Sequence, residues 1–518
     1  SPATRAGASA VPGENQPSSR DGWDARSVLC HRAAPVRLLY IAPEMAPFAK
    51  TGGLADVLGA LPRQMHRLGH DVRVFLPAYA QIDRRKYRLR PLPGLGPVQI
   101  QLGSRRFSVG IASAILPGTD LEIYFVYSPE LFSRSSIYTA DGDEHLRFLV
   151  LSFAALEACR RLRFAPDVVH CHDWQTALVP LALKSSYARD PVLSRARSLL
   201  TIHNLQYQGI FPAQVLPETG LGRAAHLFHQ DYLKQGHLSF LLHGVLYADG
   251  ITTVSPRYSQ EIQSPEHGAG LDPFLRMRKS TVVGILNGVD YDEWSPENDP
   301  FIPHAYGATD LSGKERNKAA LLGALGLEYR RGTPVIGSVT RMVGQKGLDL
   351  LAGVLGRLLR RQSFQFVLLG SGEHHLEEMF GALQRTFPRQ VCFYRGYSNE
   401  LAHLIEAGAD MFVMPSRYEP CGLNQLYSLR YGTVPIVHKT GGLADTVQLF
   451  NSRTGRGTGF PFDNHDAQGL TWGIQAALAH YKDPATWRKV MQNGMAQDFS
   501  WAVQAKQYEQ LYERLQRL

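Results

Sequence analysis

From Val36 onward the chain alternates short apolar runs with helical stretches, and it does so in two separate series. The first holds VRLLYIA (36–42), VRVFLP (72–77), LEIYFVY (121–127), DVVH (167–170), SLLTIH (198–203) and ITTVS (251–255). Between them, Leu54, Leu58, Leu61, Met65 and Leu68 recur at helical spacing up to a stop at Gly69, and apolar helical stretches occupy 146–162 and 237–248. Pro62, inside the first of these helices, predicts a kink or a split. Residues 295–334, rich in prolines and polar side chains, interrupt the rhythm. It then resumes with VIGSVT (335–340), FQFVLLG (364–370), VCFYRG (391–396), DMFVMP (410–415) and VPIV (434–437). Strands apolar on both faces must be covered on both faces, so each series predicts a parallel sheet flanked by helices. The fold class expected is α/β, with two Rossmann-like doubly wound domains facing a central cleft. A chain of 518 residues is also too long for one ordinary core.

Ligands of such sheets bind beyond the carboxyl ends of the strands, which directs attention to the loops there. KTGGLAD follows the first strand at 50–56 and returns, letter for letter, at 439–445. Paired glycines opening a helix allow close backbone approach to an anion, and Lys50 at the strand end adds a charge. Neither a G-x-G-x-x-G nor a Walker A pattern is present around it, and LLGSGEHH (368–375) lacks the third glycine of a dinucleotide site. HCHDW (170–174) has the letters of a metal site without a second cluster to complete it; Asp173 either caps the next helix or bonds a polar ligand. TIHNLQYQG (201–209) offers His203 in the same kind of position, and LNGVD (286–290) places Asn287 between the two series. TRMVGQKGLD (340–349) puts Arg341 and Lys346 on one loop, where two fixed cations suit a pyrophosphate. PSRYEPCGLNQL (415–426) ends a strand with Glu419, then Cys421, Gly422 and Leu423 opening a helix whose terminus favours an anion and a lowered thiol pKa.

Composition narrows the partners. Net charge is +9, which fits either a solvated basic surface or attraction of phosphate-bearing ligands. No basic run is interleaved with aromatics, so no nucleic acid partner is expected, and no apolar run of bilayer length points to a membrane. Five scattered cysteines without a C-x-x-C pair suit a reducing compartment, here the cytoplasm. Residues 1–34, rich in Ser, Pro, Gly, Ala and Arg, read as a flexible extension of a processed or trimmed chain. If they are a targeting remnant, a plastid stroma or starch granule replaces the cytoplasm.

Taken together and in this order, KTGGLAD, HCHDW, TIHNLQYQG, LNGVD, SVTRMVGQKGLD, PSRYEPCGL and the second TGGLAD resemble bacterial glycogen synthases and plant starch synthases over about residues 36–518. The resemblance implies a GT-B fold, with domains over 35–289 and 290–497 and a C-terminal helix (498–518) returning to the first. It implies transfer of glucose from ADP-glucose to the non-reducing 4-OH end of an α-1,4-glucan such as glycogen, starch or a malto-oligosaccharide. Retention of configuration, with neither metal nor cofactor, is part of that expectation. By the same resemblance Lys50, Gly52 and Gly53 bind the donor, and Arg341 and Lys346 hold its diphosphate. Glu419 lies beneath the glucose, Tyr397 near the adenine, and Asp173, His203 and Asn287 around the transferred sugar. Cys421, Gly422 and Leu423 complete the donor site. Ala55 before Asp56 is closer to the bacterial enzymes than to most granule-bound plant ones, which would also accept UDP-glucose. Synthases of this kind commonly carry serine or arginine where Lys439 stands, so the second TGG is expected to matter and its lysine not. α-Glucan phosphorylase, with pyridoxal phosphate, and a non-catalytic glucan-binding scaffold are the competing readings.

Overall fold

The computed structural model describes residues 35–518, and the expected extension over 1–34 lies outside them. The first series builds one ten-stranded sheet. Seven of its strands run parallel, in the order 282–284, 250–253, 197–202, 168–172, 37–41, 71–77 and 122–127. An antiparallel edge follows, made by 105–115 with 90–91 and 98–102. Strand order reverses at 37–41, whose Tyr40 faces Val74 on one side and His170 on the other. The loops after these central strands carry Lys50 and Asp173.

The second series forms six parallel strands in the order 391–395, 365–370, 335–339, 411–414, 434–438 and 460–462. This is the 3-2-1-4-5-6 order of a dinucleotide-binding domain, with its switch point between the strands ending at Val339 and Met414. Arg341 and Lys346 follow the one, and Glu419 follows the other. Topology thus places the polar loops of both sheets at switch points.

Three elements depart from the sequence expectation. The helix Gly53–Arg67 continues through Pro62, which is itself buried with Leu58, Leu61 and Met65; packing holds the helix where the missing N–H weakens it. The segment read as a break contains the helix Ser312–Ala324. Its buried face is polar and charged over Lys314, Asn317 and Lys318 and turns apolar only at Leu321 and Leu322, so no sustained apolar periodicity announces it. Lys314 Nζ donates to Glu406 O, Ala407 O and Thr433 Oγ1, and Lys318 pairs with Asp410 at 2.8 Å. The hairpin 98–115 was absent from the expected strands, although Val98, Ile100 and Leu102 alternate with exposed Gln99 and Gln101.

The chain passes from the first sheet to the second at Val289 and returns at Phe499–Trp501. The two crossings lie side by side, with Val289 N donating to Phe499 O at 2.8 Å and Trp501 N to Val289 O at 3.3 Å. The final helix, Trp501–Gln516, then packs against Gly53–Arg67 and buries Tyr508 and Tyr512. Tyr512 OH meets Tyr40 OH at 2.7 Å and His170 Nδ1 at 2.9 Å.

Candidate active site

A cleft of about 1070 Å³ opens between the two sheets at their switch points. Lys50, Gly52, Gly53, Asp173, His203, Asn287, Arg341, Lys346, Tyr397, Glu419, Cys421, Gly422 and Leu423 all line it. Eight of these lie more than 200 residues beyond Lys50 and are thus brought to one surface with it. Lys439 is not among the lining residues; it is half exposed elsewhere and pairs with Asp463 at 3.0 Å.

On the first-sheet side, Lys50 Nζ donates to Asp56 Oδ1 at 2.6 Å, within the same heptapeptide. The turn behind it rests on Glu44, which accepts from Thr51 N at 2.5 Å, from Thr51 Oγ1 and from Tyr138 OH. Burial pushes the Glu44 carboxyl up, against those bonds. The amide of Thr51, just ahead of the glycine pair, therefore already holds a protein carboxylate. Glu44 escaped the sequence reading, although a lone acid just beyond an apolar strand was a usable signal.

Asp173 does not cap the helix it opens. Its backbone lies in the left-handed region, φ +54°, and Oδ1 accepts instead from His203 N at 2.6 Å. Burial lifts this carboxyl to about 7, while the amides of His203 and Asn204 oppose the rise. An aspartate tolerates such a conformation better than most residues, yet the strain is characteristic of functional loops. His203 Nε2 meets His172 Nδ1 at 3.0 Å, and burial lowers the His203 pKa to about 3, so its ring is neutral near neutral pH. His170 bonds Tyr512 and Thr201, and among the described residues no group of three or more His, Cys, Asp or Glu is arranged for a metal ion.

On the second-sheet side, Lys346 Nζ donates to Glu419 Oε2 at 2.6 Å, and Ser416 Oγ adds a bond of 2.9 Å to the same oxygen. Arg341 is exposed on the cleft wall and, among the described residues, forms no ion pair. Tyr397 is 71% exposed at the rim, its hydroxyl on Asn399. Cys421 departs from expectation. Burial raises its thiol to about 12, and the helix begins only at Asn424, so the terminus does not activate it. Asn287 is buried with its Oδ1 unpartnered, facing the cleft from the crossing segment.

A starch synthase catalytic domain family matches residues 37–277, and the glycosyl transferases group 1 family matches residues 327–493. A glycogen synthase from Koribacter versatilis is 45% identical over 92% of this chain and 98% of its own length. The chain belongs to the glycogen and starch synthase family. A second family member, a glycogen synthase from Myxococcus xanthus, is 46% identical over 93% of this chain and 99% of its own. The catalytic domain of starch synthase IV from Arabidopsis thaliana, solved bound to ADP and acarbose, superposes with a TM-score of 0.86 at 36% identity. It covers 94% of this chain and 100% of its own. The family is one of glycosyltransferases with the GT-B fold, and this chain is such an enzyme. Among the described residues no helix is long and apolar enough to cross a membrane.

Proposed function

We propose that the enzyme transfers glucose from ADP-glucose to the non-reducing 4-OH end of an α-1,4-glucan, with retention and without a metal. The observation that carries this reading is the convergence of Lys50, Arg341 and Lys346 on one cleft that holds Glu419 on one wall and neutral His203 on the other. Breaking the anomeric bond places negative charge on the departing diphosphate and positive charge on the sugar. Arg341 and Lys346 supply fixed cations for the first, and Glu419, already anchored by Ser416, supplies the polar floor for the second.

The remaining carboxylates of the cleft are committed elsewhere. Glu44 holds Thr51, Asp56 holds Lys50, Glu144 holds Arg147 and Thr139, and Asp173 holds the His203 amide. A covalent glycosyl-enzyme requires a free carboxylate nucleophile beside an acid, and this arrangement offers none. Attack therefore comes from the face that the diphosphate leaves, with a phosphate oxygen taking the acceptor proton. The neutral His203 serves as a hydrogen-bonding group on the sugar side.

The deciding experiment follows glucose incorporation into glycogen from ADP-glucose and UDP-glucose, each with and without EDTA, and reads the new linkage by NMR. New α-1,4 linkages from ADP-glucose in EDTA are expected. Activity that disappears on chelation and returns with a divalent ion contradicts the charge assignment to Arg341 and Lys346. Preference for UDP-glucose contradicts the donor.

A further inference from the structure

The second heptapeptide lies outside the cleft, yet its turn is built like the first. In both copies the TGG turn wraps a buried glutamate. Glu44 takes Thr51 N and Thr51 Oγ1 in the first. In the second, Glu261 takes Gly441 N, at 3.1 Å to each carboxylate oxygen, and Thr440 Oγ1 at 3.3–3.4 Å. The glutamates differ in origin. Glu44 belongs to the same domain as its turn, whereas Glu261 ends the helix Pro256–Glu261 of the opposite domain.

The contact is reciprocal. Asp445, last residue of the second heptapeptide, accepts from Arg257 N at 2.7 Å, so each short helix has its first turn capped by a carboxylate of the other. Ser255 Oγ, from the same first-domain segment, donates to Pro420 O at 2.6 Å. Gly441 adopts φ +44°, and a Cβ there would lie 1.9 Å from Glu419 O. Gly442 N donates to Glu419 O at 3.1 Å and to Pro420 O at 3.2 Å. The same glycine turn therefore bonds Glu261 through Gly441 N and the backbone that presents the Glu419 carboxylate through Gly442 N.

We infer that Glu261 is a positioning residue for the transfer reaction. By gripping Thr440 and Gly441 across the domain boundary, it sets the Glu419–Cys421 turn, so the donor floor reaches its working position only when the domains meet. This rests on the proposed role of Glu419. The duplicated heptapeptide then has one backbone task, seating a helix terminus on a glutamate, and two outcomes: a presented lysine in the first copy and a domain-dependent carboxylate in the second.

The test compares Glu261→Gln, Glu261→Ala, Glu419→Gln and Lys439→Ala, with kcat expressed per ADP-binding site counted by calorimetry, so that loss of folded protein does not register. Glu261→Ala is expected to lower kcat about 10–100-fold, the scale of a lost charge-assisted hydrogen-bond set, with both KM values within about twofold. Glu261→Gln, which keeps the shape and one acceptor, should recover most of this and remain about 3–10-fold below wild type. Lys439→Ala should match wild type. Wild-type kcat in Glu261→Gln overturns the inference, even if Glu261→Ala does not fold. So does a folded Glu261→Ala that keeps wild-type kcat while Glu419→Gln has lost its activity. If Glu419→Gln itself remains fully active, the assignment of Glu419 fails, and the inference falls with it.

Discussion

Lys50 and Lys439 occupy identical sequence contexts and opposite physical ones. A unit charge about 4 Å from a phosphate is worth about 4 kcal/mol at an effective dielectric near 20, before desolvation, and about 1 kcal/mol in water. Lys50 faces the cleft with Asp56 as its tether, whereas Lys439 is paired with exposed Asp463 at the surface. Lys50→Ala should therefore lower kcat/KM for ADP-glucose at least about tenfold, and Lys439→Ala less than about threefold. Equal large losses in steady-state kinetics would refute the asymmetry. Asp173 makes a second residue-scale prediction, about pH. Its folded pKa, raised to about 7, exceeds that of an exposed aspartate, so its relative contribution to stability is complete in acid and is lost as pH rises to about 7. Asn can accept from the His203 amide and tolerates a left-handed backbone without the charge. Asp173→Asn should raise the thermal midpoint by about 1–3 °C at pH 8 and change it little near pH 4. A variant that melts earlier at pH 8 would show that the ionised carboxylate is net stabilising.

At the scale of elements, the sequence disclosed what periodicity and turn chemistry encode. Both parallel sheets and the loops carrying Lys50, Arg341 and Glu419 were legible because two-sided apolar strands and glycine-rich punctuation are local signals. The helix Ser312–Ala324 was not, because Lys314 and Lys318 are buried against partners nearly a hundred residues away. Glu261 is hidden for the same reason, since its partner Gly441 lies 180 residues on and a buried glutamate looks like any surface glutamate until that chain has folded over. The first-series hairpin is different, since its alternating VQIQL is itself a local strand pattern. Gly441 shows how little tolerance the second turn has. Its positive φ disfavours any side chain, and a Cβ would overlap Glu419 O. Gly441→Ala should cost activity through displacement of the Glu419 turn, by about 10²-fold or more if a preorganised contact is lost. Circular dichroism and melting on the same sample separate this from unfolding, and a folded Gly441→Ala with near-wild-type turnover would break the link between that turn and the donor floor.

For the whole molecule, the decisive feature is that the two chain crossings are hydrogen-bonded to each other at Val289 and Phe499–Trp501, while the donor residues are divided between the domains. Adjacent crossings define one hinge axis, about which the sheets can turn as rigid bodies. Opposing that rotation at Ser255–Glu261 and Thr440–Asp445 is a small set of polar contacts, with a net worth of about 0.5–1.5 kcal/mol for the neutral bond and about 1.5–3 kcal/mol for each bond to a carboxylate. Such a contact biases a closed state without locking it, so a ligand that touches both walls shifts the balance by the difference in its affinity for the two states. The proposed donor does so, since Lys50 comes from one domain and Arg341 and Lys346 from the other. Small-angle scattering should accordingly give a smaller radius of gyration with saturating ADP and a malto-oligosaccharide than without ligand. ADP alone should produce part of the change, and Lys50→Ala should blunt it because one wall has lost its grip on the diphosphate. A scattering profile unmoved at saturation, with binding verified by calorimetry, would mean that the cleft is preformed and that the paired crossings are a static joint rather than a hinge.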